Sequence, residues 1–391
     1  MGIHKRLEEL DSMRGLAAVS VVFAHISIIL PSTDFLERLN HTPVHFFWLG
    51  HESVILFFIL SGYVLSLPYF INKNVPYLDY VIKRICRIMI PSIVSIIIAL
   101  LLMQLLSPHE IPTISEWGNS IWTSHVSGIE ILNHIFLINE TDTMKINPVL
   151  WSLIHEMRIS LVFPLIVYIL HRSSMLKSIL FALAIPVLLF AGYYIILKAT
   201  GFDITMFKGD SSFLLTPHYM AFFILGGILA KHRKYWSGLY SKLGVRRKVG
   251  LLCAGLGLYM YNWLMLPDSA LPHLFIIDDW AIAMGACIFI VFALNSSRIS
   301  RILMIGPIHF TGRISYSLYL YHLIVMIALV HTLGTALPLW AILVLSLPLS
   351  LLCAAIMHRM VEGPSIVLGR FLTTNRRKAD PQLTEKRYSA S

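Results

Sequence analysis

Along most of this chain the apolar positions run together in long blocks separated by short polar stretches, rather than alternating with polar ones. Ten such blocks stand out, near residues 14–31, 53–71, 88–106, 149–170, 179–197, 214–230, 249–266, 279–294, 308–331 and 338–358. Their lengths of about 16–24 residues suit helices crossing roughly 30 Å of hydrocarbon at 1.5 Å per residue. A membrane barrel would instead show alternating strands of about ten residues. The pattern predicts an all-α, polytopic membrane protein with about ten transmembrane helices. The ninth block is the least apolar, because it holds Arg313, two serines, three tyrosines and His322.

Composition agrees. Of 391 residues, 57% are hydrophobic and 13% charged, against roughly 25% charged in a soluble domain; the mean hydropathy is +0.73. The net charge of +10 would suggest nucleic acid if it formed one patch, but it does not. With the N-terminus placed in the cytoplasm, 25 of the 31 Lys and Arg residues fall in inside segments and only Arg38, Lys145, Lys198 and Lys208 fall outside. This is the asymmetry that orients membrane proteins, so both termini are expected to be cytoplasmic and nucleic acid is set aside as a partner. The first block follows Glu8, Glu9 and Asp11 with no small-residue cleavage pattern after it, and reads as a retained span. Residues 1–370 are expected to form one membrane domain and 371–391 a disordered basic tail. The outside connection 107–148 is polar and acidic, and too short to be a separate domain. Cys86, Cys253, Cys287 and Cys353 show no disulfide or metal spacing, and the loop histidines lack ligand spacing such as HExxH, so no metal is expected.

LDSMRGLAAVSVVFAH, residues 10–25, places ionisable groups at both ends of an apolar run. Eleven helical residues turn about 20° past three full turns and rise about 16 Å. Arg14 and His25 therefore share a face, with Asp11 about 40° away. Arg14 sits at the cytoplasmic edge and His25 deep in the membrane, where a polar group must face protein or water. A functional track and a topology anchor plus an interhelical hydrogen bond are both compatible with His25 alone; the spacing favours the track.

Other polar groups also fall on helical stripes. In WSLIHEMRIS, residues 151–160, Ser152, Glu156 and Ser160 recur every fourth position. Glu156 lies about 10 Å below the outer end, within reach of His25's depth, and is a candidate to orient that imidazole. A pair with Arg158 or Arg313 is the alternative. Ser315, Tyr319 and His322 form a stripe on the ninth helix, suited either to lining a channel or to bonding between helices. Arg84 and Arg87, three apart at a cytoplasmic helix start, suit an anionic group together with Arg14, or serve as anchors.

Six motifs occur in an order that resembles one family. The arginine–ten residues–histidine pattern is followed by FFILSGYVLS (57–66), KRICRIMIP (83–91), NPVLWSLIHEM (147–157), GRISYSLYLYH (312–322) and VEGP (361–364). Together they cover roughly residues 10 to 365, and on them the chain is similar to the acyltransferase-3 family of integral membrane O-acyltransferases. The resemblance implies acyl-CoA, with acetyl-CoA expected, as donor substrate rather than a bound cofactor, held near Arg14, Arg84 and Arg87. It implies a carbohydrate hydroxyl as acceptor and a bacterial-type inner membrane as location, with polysaccharide-assembly proteins as partners besides the bilayer. On this reading His25 is the base or acyl carrier, Glu156 holds it, and Tyr319 or a serine of the ninth span stabilises the oxyanion. Asp11, Ser152, Ser315 and His322 support them. Mid-membrane polar stripes also describe a transport path, so a transporter of a polar or glycan-related substrate is the other class. A polymerase or ligase acting on lipid-linked sugars is a third.

Overall fold

A computed structural model describes residues 7–71, 75–200, 210–264 and 275–379. Each predicted apolar block carries a helix: α1 (Glu8–Ile29), α2 (Gly50–Phe70), α3 (Tyr77–Leu106), α4 (Leu150–Arg172), α5 (Met175–Thr200), α6 (Leu215–Lys231), α7 (Val245–Tyr259), α8 (Phe275–Asn295), α9 (Gly306–Leu333) and α10 (Leu339–Met357). A further helix, α11 (Gly363–Ala379), follows α10 through one π-helical turn, His358–Glu362. Among the described residues seven helices are long and apolar enough to cross a membrane. The shorter α6 and α7, of 17 and 15 residues, fall below that length, and α5 contributes only the shorter apolar stretch Met175–Leu188. The protein is an all-α, multi-pass membrane protein, and no strand occurs among the described residues. Helix α11 carries regular structure to Ala379, nine residues into the segment expected to be disordered; 380–391 lie outside the described residues.

Helix α6 explains its own hydropathy. Residues Ala221 to Ala230 are all buried, as befits a helix apolar on every side. It packs most extensively against α2, and glycines make the crossing possible. A Cβ on Gly62 would fall on the Phe223 carbonyl, and one on Gly226 on the Ile59 carbonyl. Small residues of this kind let membrane helices meet backbone to backbone.

The α1–α9 pair repeats the device. A Cβ at Gly15 would strike the Gly312 backbone, and one at Gly312 would lie 2.7 Å from the Asp11 carbonyl. The two helices run parallel from this contact. Ten residues further on, the same 297-residue offset brings His25 beside His322. The modest apolarity of α9 follows from its place: 72% of its spanning window is inside the protein, against 28% for the span that starts at α10. In a membrane, lipid-facing helices carry the apolar surface, and polar side chains go where protein receives them.

The 107–148 connection folds back over the C-terminal end of α1. The Ser115 N–H donates to the Ile29 carbonyl (2.9 Å) and its hydroxyl to the Ile28 carbonyl (2.6 Å), occupying acceptors that a helix end leaves open. Ser127 and Glu130 form a reciprocal cap on the helix Gly128–Phe136. Glu130 also pairs with Lys145 at 2.5 Å, and the Asn147 amide donates to the Leu320 carbonyl of α9 (3.0 Å).

Candidate active site

His25 and His322 form a pair whose proton positions follow from their surroundings. A carbonyl only accepts, so an imidazole nitrogen bonded to one must carry the proton. His322 Nδ1–H donates to Leu318 O (3.0 Å), which leaves its Nε2 as an acceptor. His25 Nδ1 lies 3.0 Å from Val21 O and 3.0 Å from His322 Nε2, so its one N–H is shared between them. His25 Nε2 is then unprotonated, and among the described residues nothing hydrogen-bonds it. His322 is fully buried while His25 is half-buried. The arrangement is an oriented imidazole with one nitrogen free of hydrogen bonds from the described residues.

Trp117, held over the C-terminal end of α1, covers His25. Its ring stacks on His25 with centroids 5.5 Å apart and planes at 26°, and its position is set by the Ser115 bonds to α1. Nothing in the sequence marks Trp117 among the eight tryptophans; it comes from a connection read only as polar and acidic.

Glu156 is placed differently from the expectation. Its carboxylate takes Arg84 Nη2 at 2.5 Å and the Ser61 hydroxyl at 3.4 Å. Arg84 also donates to Ser160 through Nε (3.2 Å) and Nη2 (2.9 Å). The physical reason is competition: a buried guanidinium needs a carboxylate more than a neutral imidazole does. Arg158 and Glu156, two residues apart, point to different sides of α4. Arg158 donates to Ile138 O (2.6 Å) and Ser211 O (2.7 Å). Neither Arg158 nor Arg313 pairs with Glu156.

Toward the Lys/Arg-rich face, Arg14 pairs with Asp11 at 3.1 Å and lies within electrostatic reach of Arg87 and Glu156. Arg84 is buried, whereas Arg87 is exposed and makes no ion pair among the described residues. Arg14, Arg84 and Arg87 are thus brought together, two already neutralised by Asp11 and Glu156. Tyr319 meets Ser152 at 2.6 Å and Val149 O at 3.3 Å, so these two expected residues are joined as well. Ser315 donates to Gly312 O of its own helix (3.0 Å) and reaches no other site group through that bond.

A second polar cluster was not legible in the sequence. Asp279 of α8 is buried between His51 of α2 (2.6 Å) and His218 of α6 (2.7 Å), tying three helices together near their N-terminal ends. His51 lies in the first turn of α2. Next to it, Glu52 accepts from Trp263 Nε1 (2.7 Å). Among the described residues no group of three or more His, Cys, Asp or Glu is arranged to hold a metal.

Comparison with known proteins gives this geometry a family. The acyltransferase domain family matches residues 7–359. The chain is similar to O-acetyltransferase OatA of Staphylococcus aureus, in strains NCTC 8325 / PS 47 and COL, at 24% identity over 383 residues, covering 92% of this chain and 57% of the relative. It thus spans little more than half the length of those relatives. No solved structure matches it. With the family match running from before the Arg14–His25 helix to beyond the His322 helix, the chain belongs to the acyltransferase-3 family of membrane proteins.

Proposed function

We propose that the protein is a membrane O-acetyltransferase that takes an acyl group, acetyl first, from acyl-CoA and delivers it to a hydroxyl of a cell-surface carbohydrate or its lipid-linked precursor. A bacterial-type inner membrane is its proposed location. The observation that carries the reading is the His25–His322 pair: a buried histidine fixes the tautomer of a half-buried one and leaves Nε2 as a base. Histidine suits a proton that must be taken and returned near neutral pH. The similarity to O-acetyltransferases supports the acyl chemistry.

The proposed step uses few groups. His25 Nε2 takes the acceptor hydroxyl's proton as the oxygen bonds to the thioester carbonyl carbon. The carbon–sulfur bond breaks, and the proton passes to the departing thiolate, giving an ester and free coenzyme A. His322, in the place first expected for Glu156, holds the imidazole; Glu156 acts at one remove by fixing Arg84. Arg14 and Arg87 would meet the donor's phosphates, and the roughly 16 Å from Arg14 to His25 suits a long thin pantetheine arm. Tyr319 is the proposed oxyanion donor, and would serve by exchanging its bond to Ser152.

The test is acyl transfer in sealed inside-out vesicles supplied with labelled acetyl-CoA and native glycan. Label should enter carbohydrate with wild type and not with Arg14→Ala or His25→Ala. Flux of a polar solute without ester formation would favour a transporter instead.

A further inference from the structure

A groove of about 1070 Å³ lies at the Lys/Arg-rich end of the bundle, between α9, the π-helical turn and α11. Phe310, Val367 and Phe371 form much of its wall, and they are 39%, 62% and 59% exposed. A membrane-spanning protein turns such surface toward acyl chains. Arg313 and Arg359 also line the groove; both are exposed, and neither makes an ion pair among the described residues. Arg313 lies over the Phe310 ring at 5.8 Å, which leaves its charge available to an anion.

The neighbouring carboxylate does not neutralise them. Glu362 is buried and turned inward, accepting from the Ser317 hydroxyl (2.6 Å) and lying 3.0 Å from His358 Nδ1. These bonds pin the π-helical turn to α9, so the groove is built into the fold. Arg313 is nine residues before His322, about 14 Å along the helix, which separates the groove from the histidine pair.

We infer that this groove is a binding site for an anionic phospholipid of the leaflet on the Lys/Arg-rich side, its phosphate between Arg313 and Arg359 and an acyl chain along Phe310, Val367 and Phe371. Basic pockets between membrane helices suit such headgroups. The occupant is a lipid rather than a soluble nucleotide because two arginines offer charge for about one phosphate, while the exposed apolar walls need a chain to cover them.

The experiment is native mass spectrometry of the delipidated full-length protein, titrated with phosphatidylglycerol or phosphatidylcholine. Wild type should retain one phosphatidylglycerol at least fivefold more tightly than phosphatidylcholine. The R313Q/R359Q variant should lose that preference. Ala355→Trp, which fills the groove and keeps both charges, should weaken retention at least fivefold. R233Q/K234Q, a basic pair elsewhere on the same side, should bind like wild type. The single Arg359→Gln change, at an exposed position, stands in if the double variant fails to fold. Equal retention of both lipids, an unaffected arginine variant, equal loss in the control, or displacement of the lipid by coenzyme A would each overturn the assignment.

Discussion

His322 Nε2 lies 3.0 Å from His25 Nδ1, and the contact exists because Gly15 and Gly312, ten residues earlier on each helix, let the two backbones touch. The histidine pair is therefore a consequence of a glycine crossing. Its chemistry is set by main-chain carbonyls one turn back on each helix, Val21 and Leu318.

The other glycine crossing, between α2 and α6, predicts a sharp position dependence. Gly226→Val should cost several kcal/mol or prevent folding, since even a Cβ there falls on the Ile59 carbonyl, and overpacking alone costs about 1–3 kcal/mol. Gly238→Ala, where nothing lies within 4 Å of the new carbon, should be neutral or stabilise by about 0.5–1 kcal/mol because alanine suits a helix interior better. Thermal unfolding in detergent separates them; equal midpoints would contradict the packing account.

Glu156→Gln should strand the Arg84 charge. The loss is expected near 3 kcal/mol, the low end for a buried pair, because the Glu156 side chain keeps 19% exposure. Replacing both, as Arg84→Met with Glu156→Leu, should return most of the stability without returning acyl transfer. Recovery of full activity with stability would make the pair purely structural.

The 107–148 connection supplies a pH test. Lys145 and the Ser127 backbone and hydroxyl hold the Glu130 carboxyl down to about 2, below the ordinary range for glutamate. A depressed carboxylate contributes stability above its unfolded value and loses it as pH falls through the folded one. The stability gap between wild type and Glu130→Gln should thus be constant above about pH 5 and close progressively toward pH 2. Unfolding midpoints across that range check it; a gap that widens on acidification would reverse the sign.

Trp117→Ala should uncover the face of His25 on which the indole stacks. Acyl transfer is expected to fall about tenfold, mainly in kcat, while the Ser115 bonds keep the loop docked; a loss confined to KM would mean that Trp117 only binds the acceptor. Stacking of this kind is worth about 0.5–1.5 kcal/mol, enough for that change.

Much of this could be read from the chain before its structure. Long apolar blocks announced the membrane helices, and the eleven-residue spacing put Arg14 and His25 on one face. The stripe of Ser315, Tyr319 and His322 was visible as polarity in an otherwise apolar helix. Partner choice was not visible, because it depends on how helices distant in sequence meet. Glu156 could be placed at the right depth, yet its preference for Arg84 over His25 rests on how α3 and α4 face each other. Trp117 and Asp279 were hidden for a similar reason: one sits in an irregular connection, and the other acquires meaning only between His51 and His218. Helix α10 was easy to see because lipid contact keeps it apolar, whereas α9 was harder because its polar face is satisfied inside.

The proposed acyl transfer rests on His25 as base and His322 as its positioning partner. The most direct measurement is the acyl-transfer rate, as a function of pH, of the reconstituted full-length protein carrying His25→Gln or His322→Gln. General-base catalysis contributes about 10²–10⁴-fold, so His25→Gln should fall by at least about a hundredfold at every pH. His322→Gln, whose amide can still accept from Nδ1–H, should retain part of the rate with a displaced pH profile. Wild-type rates from a folded His25→Gln protein would contradict the account and move the chemistry away from this pair.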